Sequence, residues 1–314
     1  VADRSSSSSG GGGKPGTFPC ARRIAFIQQK RSQRKKVLTV KAWYIREQKH
    51  ICGPQYAEVD LFEVSAKEHT ASTRRKRELA TSIAQQRYNE AMSRRYFCQL
   101  AYTNFTDRDW AITFTYNRDH HPAAGDYDRV DRDWTNFCKR MKRYCKKKGI
   151  PAPKWMQVAE YCVLNEDGTS TGRHHHHVIL EGSLTLDEIE MLWRDSSGEE
   201  IGMVHCDRIN LTSSSFEALT GYMTKARTRV RHWHQSRGLK APVTPRPNDT
   251  KWSRKSMDDA FSMRVDDRAF WEKQYPGYTL RECEQRVTGN NTRHLIVKLM
   301  RKPEPRRKNR RNQP

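Results

Sequence analysis

Bulky apolar and small or polar residues alternate along Trp110-Ala111-Ile112-Thr113-Phe114-Thr115-Tyr116, the period of two that a half-buried strand imposes. The period then lengthens. Between Asp131 and Lys148, Trp134, Phe137, Cys138, Met141 and Cys145 recur at helical spacing, with Lys and Arg on the other side. Gly149 and Pro151 end that helix. Strands are predicted from Trp155 to Tyr161 and from Arg173 to Leu180, joined by a turn containing Asp167-Gly168. Thr185-Leu186-Asp187-Glu188 reads as a capping box opening a helix through Trp193. Ile201 to Ile209 reads as a strand, and Ser214 or Ser215 caps a helix running to about Arg227. Hairpin-linked strands interleaved with helices predict an α+β domain, an antiparallel sheet covered by helices.

The flanking sequence is less regular. Residues 1–20 carry Ser5 to Ser9 and Gly10 to Gly13 and are expected to be a disordered tail. Residues 21–100 form a basic extension with a strand-like run, Val37 to Tyr44, and a helical stretch over 66–100. The predicted core spans 101–230. Residues 231–300 are basic, Pro-rich, then aromatic, and close on Leu295-Ile296-Val297; 301–314 reads as a disordered basic tail.

Charge narrows the partners. The 314 residues hold 59 Lys and Arg against 36 Asp and Glu, a formal net charge of +23 that makes a polyanion the expected partner. No apolar run approaches the roughly 20 residues of a membrane span, and no leader segment opens the chain, so a cytoplasmic site is expected. The eight cysteines include no Cys-x-x-Cys pair, which argues against a zinc knuckle and for a reducing compartment.

The sharpest chemical feature is His174-His175-His176-His177, leading into Val178-Ile179-Leu180. On a strand, two histidines separated by one residue share a face, which is half of a divalent-metal site. Alternation alone allows His175 with His177 or His174 with His176. If Asp167-Gly168 is the turn, Glu160 pairs opposite His175. A carboxylate with two imidazoles suits Mg²⁺ or Mn²⁺. Further on, Tyr222 and Lys225 lie three apart on one helix face. A phenol with pKa near 10 is a poor nucleophile, and a nearby ammonium stabilises its anion or a charged phosphate. No His-Glu-x-x-His set occurs, and Lys14 is followed by Pro15, so no P-loop forms there.

Taken together these residues resemble the HUH endonuclease superfamily, specifically the single-tyrosine initiators of rolling-circle replication of small bacterial phages and plasmids. The apolar-Thr strand is like Ile112 to Tyr116; the second motif is like Glu160-Tyr161 followed by Gly172-Arg173 and the histidine run; the third matches Tyr222 and Lys225. Asn104-Phe105, Asp109 and Tyr275-Pro276-Gly277-Tyr278 extend the likeness over roughly 95–300. The family usually has a bulky apolar residue between the two ligands, where this chain has His176.

The resemblance implies an RRM-like sheet core and selects His175 and His177, with Glu160, as ligands for Mg²⁺ or Mn²⁺. It implies Tyr222 as nucleophile, Lys225 as its cationic aid, and single-stranded DNA at a replication origin as substrate, with a host helicase and polymerase as partners. A transposase or relaxase would use the same chemistry, although relaxases usually place the tyrosine before the histidines. A non-catalytic nucleic-acid-binding protein is the alternative of a different class.

Overall fold

A computed structural model of the chain describes residues 43–65, 83–211, 216, 220–221, 233–287 and 292–303. Their elements, in order, are strands β1 (Trp43–Cys52) and β2 (Tyr56–Ser65), helix α1 (Ile83–Asn104), β3 (Trp110–Thr115), α2 (Tyr127–Lys148), β4 (Trp155–Glu160), β5 (Val163–Leu164), β6 (Ser170–Thr171) and β7 (His175–Leu180). There follow α3 (Leu186–Leu192), β8 (Val204–Arg208), β9 (His234–Gln235), α4 (Arg254–Met263), α5 (Arg268–Gln274), β10 (Tyr278–Val287) and β11 (Arg293–Arg301). This is an α+β fold of antiparallel sheets flanked by helices. The run Val37–Tyr44 and the stretch 66–100 fall partly outside the described residues, and the tail 1–20 wholly so. No helix among the described residues is long and apolar enough to cross a membrane.

The central sheet runs β8-β3-β7-β4-β9. One face presents Ile112, Phe114, Val178 and Leu180 to Trp134, Phe137 and Met141 of α2 and to Ile189 and Trp193. These helices begin and end where local chemistry dictates. Asp126 accepts from the Arg129 N–H at the start of α2, and Gly149 closes it in the left-handed region at φ 75°. Lys146, Lys147 and Lys148 in its last turn complement the helix dipole. Thr185 and Glu188 form the reciprocal capping box of α3. The other face packs Met156, Val158 and Ile179 with Phe97, Leu100 and Tyr102 of α1 and with Phe216.

A second sheet, ordered β1-β2-β11-β10, joins the hairpin before the central sheet to the last two strands after it. Its core packs Ile45, Leu61, Leu295 and Val297 against Trp252, Met257 and Trp271 around α4 and α5. β1 also buries a carboxylate: Glu47 accepts from Trp252 Nε1 and from the Tyr275 hydroxyl, each at 2.9 Å. On β2 the charged residues Glu58 and Asp60 also point inward, where Arg95 and Gln99 of α1 meet them.

Candidate metal centre

The site is built on the middle strand of the central sheet. β7 is hydrogen-bonded on both sides, to β3 with Thr113 opposite His177 and to β4 with Glu160 opposite His175. Residues directly opposite in an antiparallel pair share a face, so Glu160, His175, His177 and Thr113 project together. The hairpin tip follows a different register. Val163 pairs with Thr171 and Leu164 with Ser170, one residue out of step with the Glu160–His175 pairing. The extra residue lies in 172–174, where Gly172 takes φ 73°.

Three donor atoms converge on that face. His175 Nε2 lies 2.9 Å and His177 Nε2 3.4 Å from the same carboxylate oxygen, Glu160 Oε2. The rings stand nearly perpendicular at 85°. Each imidazole is oriented from behind. His175 Nδ1 lies 2.8 Å from the Arg173 carbonyl, which can only accept, so Nδ1 carries the proton and Nε2 presents a lone pair. His177 Nδ1 lies 3.2 Å from the Thr113 hydroxyl, which can accept in the same way. Burial pushes the His177 imidazole well below its ordinary pKa, and the nearby His175 adds to the effect, keeping it neutral as a ligand must be. Lone pairs aimed at a carboxylate are satisfied by a cation between them. Neighbouring ligands on an octahedral ion stand about 3 Å apart, so the donor set fits a single divalent ion. The cluster of Glu160, His175 and His177 is thus capable of coordinating a metal.

The intervening histidines do other work. His174 Nε2 donates to the Ala123 carbonyl at 3.0 Å while its Nδ1 accepts from the Cys162 N–H, also at 3.0 Å. It thereby replaces the ladder partner that the register shift removes. His176 is fully buried; its Nδ1 lies 2.9 Å from Gln157 Nε2 and its Nε2 3.2 Å from the Tyr116 hydroxyl. Burial pushes its pKa down to about 3, so it stays neutral. His176→Ala is expected to lower unfolding free energy by about 1–3 kcal/mol, since Gln157 and Tyr116 lose their partner. Divalent-ion affinity should hold within a few fold, whereas His175→Ala should lose the ion and keep the fold. Denaturant unfolding and metal titration of the two variants check both halves.

A cleft of about 540 Å³ opens over the centre, with Thr113, Thr115, Arg173 and Met203 joining His175 and His177 in its lining. Its far wall is held close by Gly202, where a Cβ would fall 1.9 Å from the Thr115 carbonyl oxygen. Sequence reasoning did not find Thr113 as an orienting group. The polar position between Ile112 and Phe114 was the available signal, because it faces away from the core those two residues fill. Tyr222 and Lys225 lie outside the described residues. Phe216, Thr220 and Gly221, just before them, are helical.

Residues 109–227 match the profile of a family described as replication-associated protein, of the ORF2 type. No curated protein and no solved structure matches the chain. The matched segment contains every strand that carries the donor cluster. A segment similar to replication-associated proteins and a His/Glu cluster able to hold a metal ion together support a nicking and joining role of the HUH type in general terms.

Proposed function

We propose that this protein nicks and rejoins single-stranded DNA at a replication origin through a covalent 5′-phosphotyrosine, initiating rolling-circle replication. The observation that carries the reading is the convergence of Glu160, His175 and His177 on one face of the central sheet. A divalent ion, Mg²⁺ or Mn²⁺, supplies charge neutralisation at the scissile phosphate when bound there. The chain's own residues do the rest. The Tyr222 hydroxyl oxygen attacks phosphorus and loses its proton. The bond from phosphorus to the 3′-oxygen breaks, and that oxygen leaves as a hydroxyl after taking up a proton. The reverse attack by a 3′-hydroxyl frees the tyrosine and rejoins the strand, so no nucleotide is consumed. Lys225 offsets the negative charge of the phenolate and phosphate.

Support for bringing the tyrosine to this face comes from Phe216. It packs in the cluster containing Met156, Val158 and Ile179, on the sheet face that also bears His175 and His177. Arg173 in the cleft lining offers a charge for the DNA backbone, and Met203, 66% exposed, offers apolar surface to a base. The net charge of +23 predicts affinity that falls steeply with salt. A host helicase and polymerase would complete replication in the host cytoplasm.

The test uses the full chain and a randomised library of single-stranded oligonucleotides. Covalent protein–DNA adducts are separated on a denaturing gel and sequenced. Adducts should form in Mn²⁺, vanish in EDTA, and converge on one sequence. Glu160→Gln, His175→Ala and His177→Ala should each lower the yield by roughly a hundredfold or more, because each removes a ligand. Adducts that persist in EDTA would sink the metal-dependent reading. DNA retention without any adduct in Mn²⁺ would favour a binding protein without catalysis.

A further inference from the structure

A second set of donors lies outside the centre just described. The loop after β3 carries Asn117 and His120, and the turn after α3 carries Asp195 and Glu199. His120 Nε2 stands 3.6 Å from Glu199 Oε2 and 3.9 Å from Asp195 Oδ2.

The protonation of His120 follows from its neighbour. Asn117 Nδ2 donates to the Glu200 carbonyl at 3.0 Å, which fixes the amide so that Oδ1 faces the histidine. Oδ1 accepts from the His120 backbone N–H and lies 2.9 Å from its ring Nδ1. An amide oxygen only accepts, so Nδ1 carries the proton and Nε2 of the neutral ring presents a lone pair. That lone pair looks at two carboxylate oxygens.

The carboxylates are set up in the same sense. Asp195 Oδ1 is engaged by the Ser197 N–H at 2.8 Å, the Ser197 hydroxyl at 2.6 Å and the Glu199 N–H at 2.9 Å. These bonds hold its pKa below the ordinary carboxylate value and leave Oδ2 pointing at His120. Three electron-rich atoms therefore surround one point. Donors on a tetrahedral ion with bonds near 2.0–2.1 Å stand about 3.4 Å apart, so closure needs shifts of only a few tenths of an ångström.

We infer that His120, Asp195 and Glu199 form a second divalent-cation site, suited to Zn²⁺ or Mn²⁺ by its one imidazole and two carboxylates. Its role is a clasp. The His120 loop also supplies the Ala123 carbonyl that anchors His174, and Asn117 lines the cleft over the first centre. An ion here ties that wall to the turn after α3. Glu199 is largely exposed, so the ion exchanges with solvent.

The test is calorimetric titration of the chelator-stripped full chain with Zn²⁺. The wild type should take up two ions. His175→Ala with His177→Ala should take up one. Adding His120→Gln to that background should remove it or weaken it by roughly 10–100-fold. Co²⁺ in place of Zn²⁺ should show visible d–d bands that vanish with His120→Gln. Glu199→Gln, at a side chain 73% exposed, leaves the packing undisturbed and should weaken the same ion at least tenfold. An ion retained without His175 and His177 but lost with His120→Gln establishes the site whether or not the first centre holds metal. Failure of the His175→Ala, His177→Ala chain to bind any ion overturns the inference. So does binding that is unchanged by both His120→Gln and Glu199→Gln.

Discussion

Tyr222→Phe is expected to abolish strand cleavage and the covalent DNA adduct while leaving DNA binding and metal uptake in place. The substitution removes one oxygen and conserves the ring, so packing is spared and only the nucleophile is lost. Loss of a nucleophile that no other group replaces costs roughly a thousandfold or more in rate. The described tyrosines nearest the centre in sequence are poor substitutes. Tyr116 is buried, its hydroxyl meets His176, and burial holds its pKa far above the ordinary value. The Tyr161 hydroxyl donates to Asp131 Oδ1 at 2.7 Å. Adduct yield on a denaturing gel and DNA retention by gel shift, measured on one preparation, separate chemistry from binding. An undiminished adduct in Tyr222→Phe would move the nucleophile elsewhere in the chain.

Arg95→Ala is expected to cost about 3–5 kcal/mol of folding free energy, the range for stripping one partner from a buried ion pair. Arg95 is 12% exposed and meets Glu58 at 1% and Asp60 at 7%. It donates to both oxygens of Asp60 at 2.8 Å each and to Glu58 Oε2, which also accepts from Gln99 at 2.7 Å. Removing the guanidinium leaves two carboxylates buried close together. The pH dependence should change as well. Burial raises the Asp60 pKa, but hydrogen bonds with His294, His50 and Arg95 outweigh it, and the carboxyl sits well below the usual range. Its stabilisation is therefore present above the unfolded value of about 3.9 and is lost as pH falls through the lower folded value. Urea unfolding from pH 7 to pH 3 should show a steep acid decline in the wild type and a shallower one in Arg95→Ala. An unchanged midpoint in the variant would show that the network contributes nothing net.

This network also marks where the sequence stopped being readable. β3, α2, β4, β7, α3 and β8 each bury one face, so apolar periodicity reveals them. β2 does not follow that rule. Glu58 and Asp60 interrupt the pattern expected of a strand, although both are buried. Their partners are remote: Arg95 lies 37 residues from Glu58, and His294 lies 234 residues from Asp60. A window of local sequence cannot show such compensation. The segment after residue 230 was similarly opaque. Its basic, aromatic composition conceals two short helices and two strands whose core residues, Trp252, Trp271, Leu295 and Val297, come from separate elements. At the candidate centre, the Glu160–His175 pairing followed from the turn at Asp167-Gly168, and the structure has that pairing. Alternation left the choice between His175 with His177 and His174 with His176 open. The shift at Gly172 and the hydrogen bond from Cys162 N–H to His174 are what turn the second pair inward, and neither has a sequence signature.

The insertion of β11 between β2 and β10 bears on how the protein is made. The hairpin ending at Ser65 leaves the ribosome early, yet its neighbour arrives only with Arg293–Arg301. Until then the backbone edge of β2 has no mate, while the central sheet has all its strands by Gln235. A nascent chain stalled or clipped ahead of Arg293 would keep that edge open to other molecules, a recognised route to aggregation. Chaperone demand during synthesis should therefore concentrate on the interval between those two events.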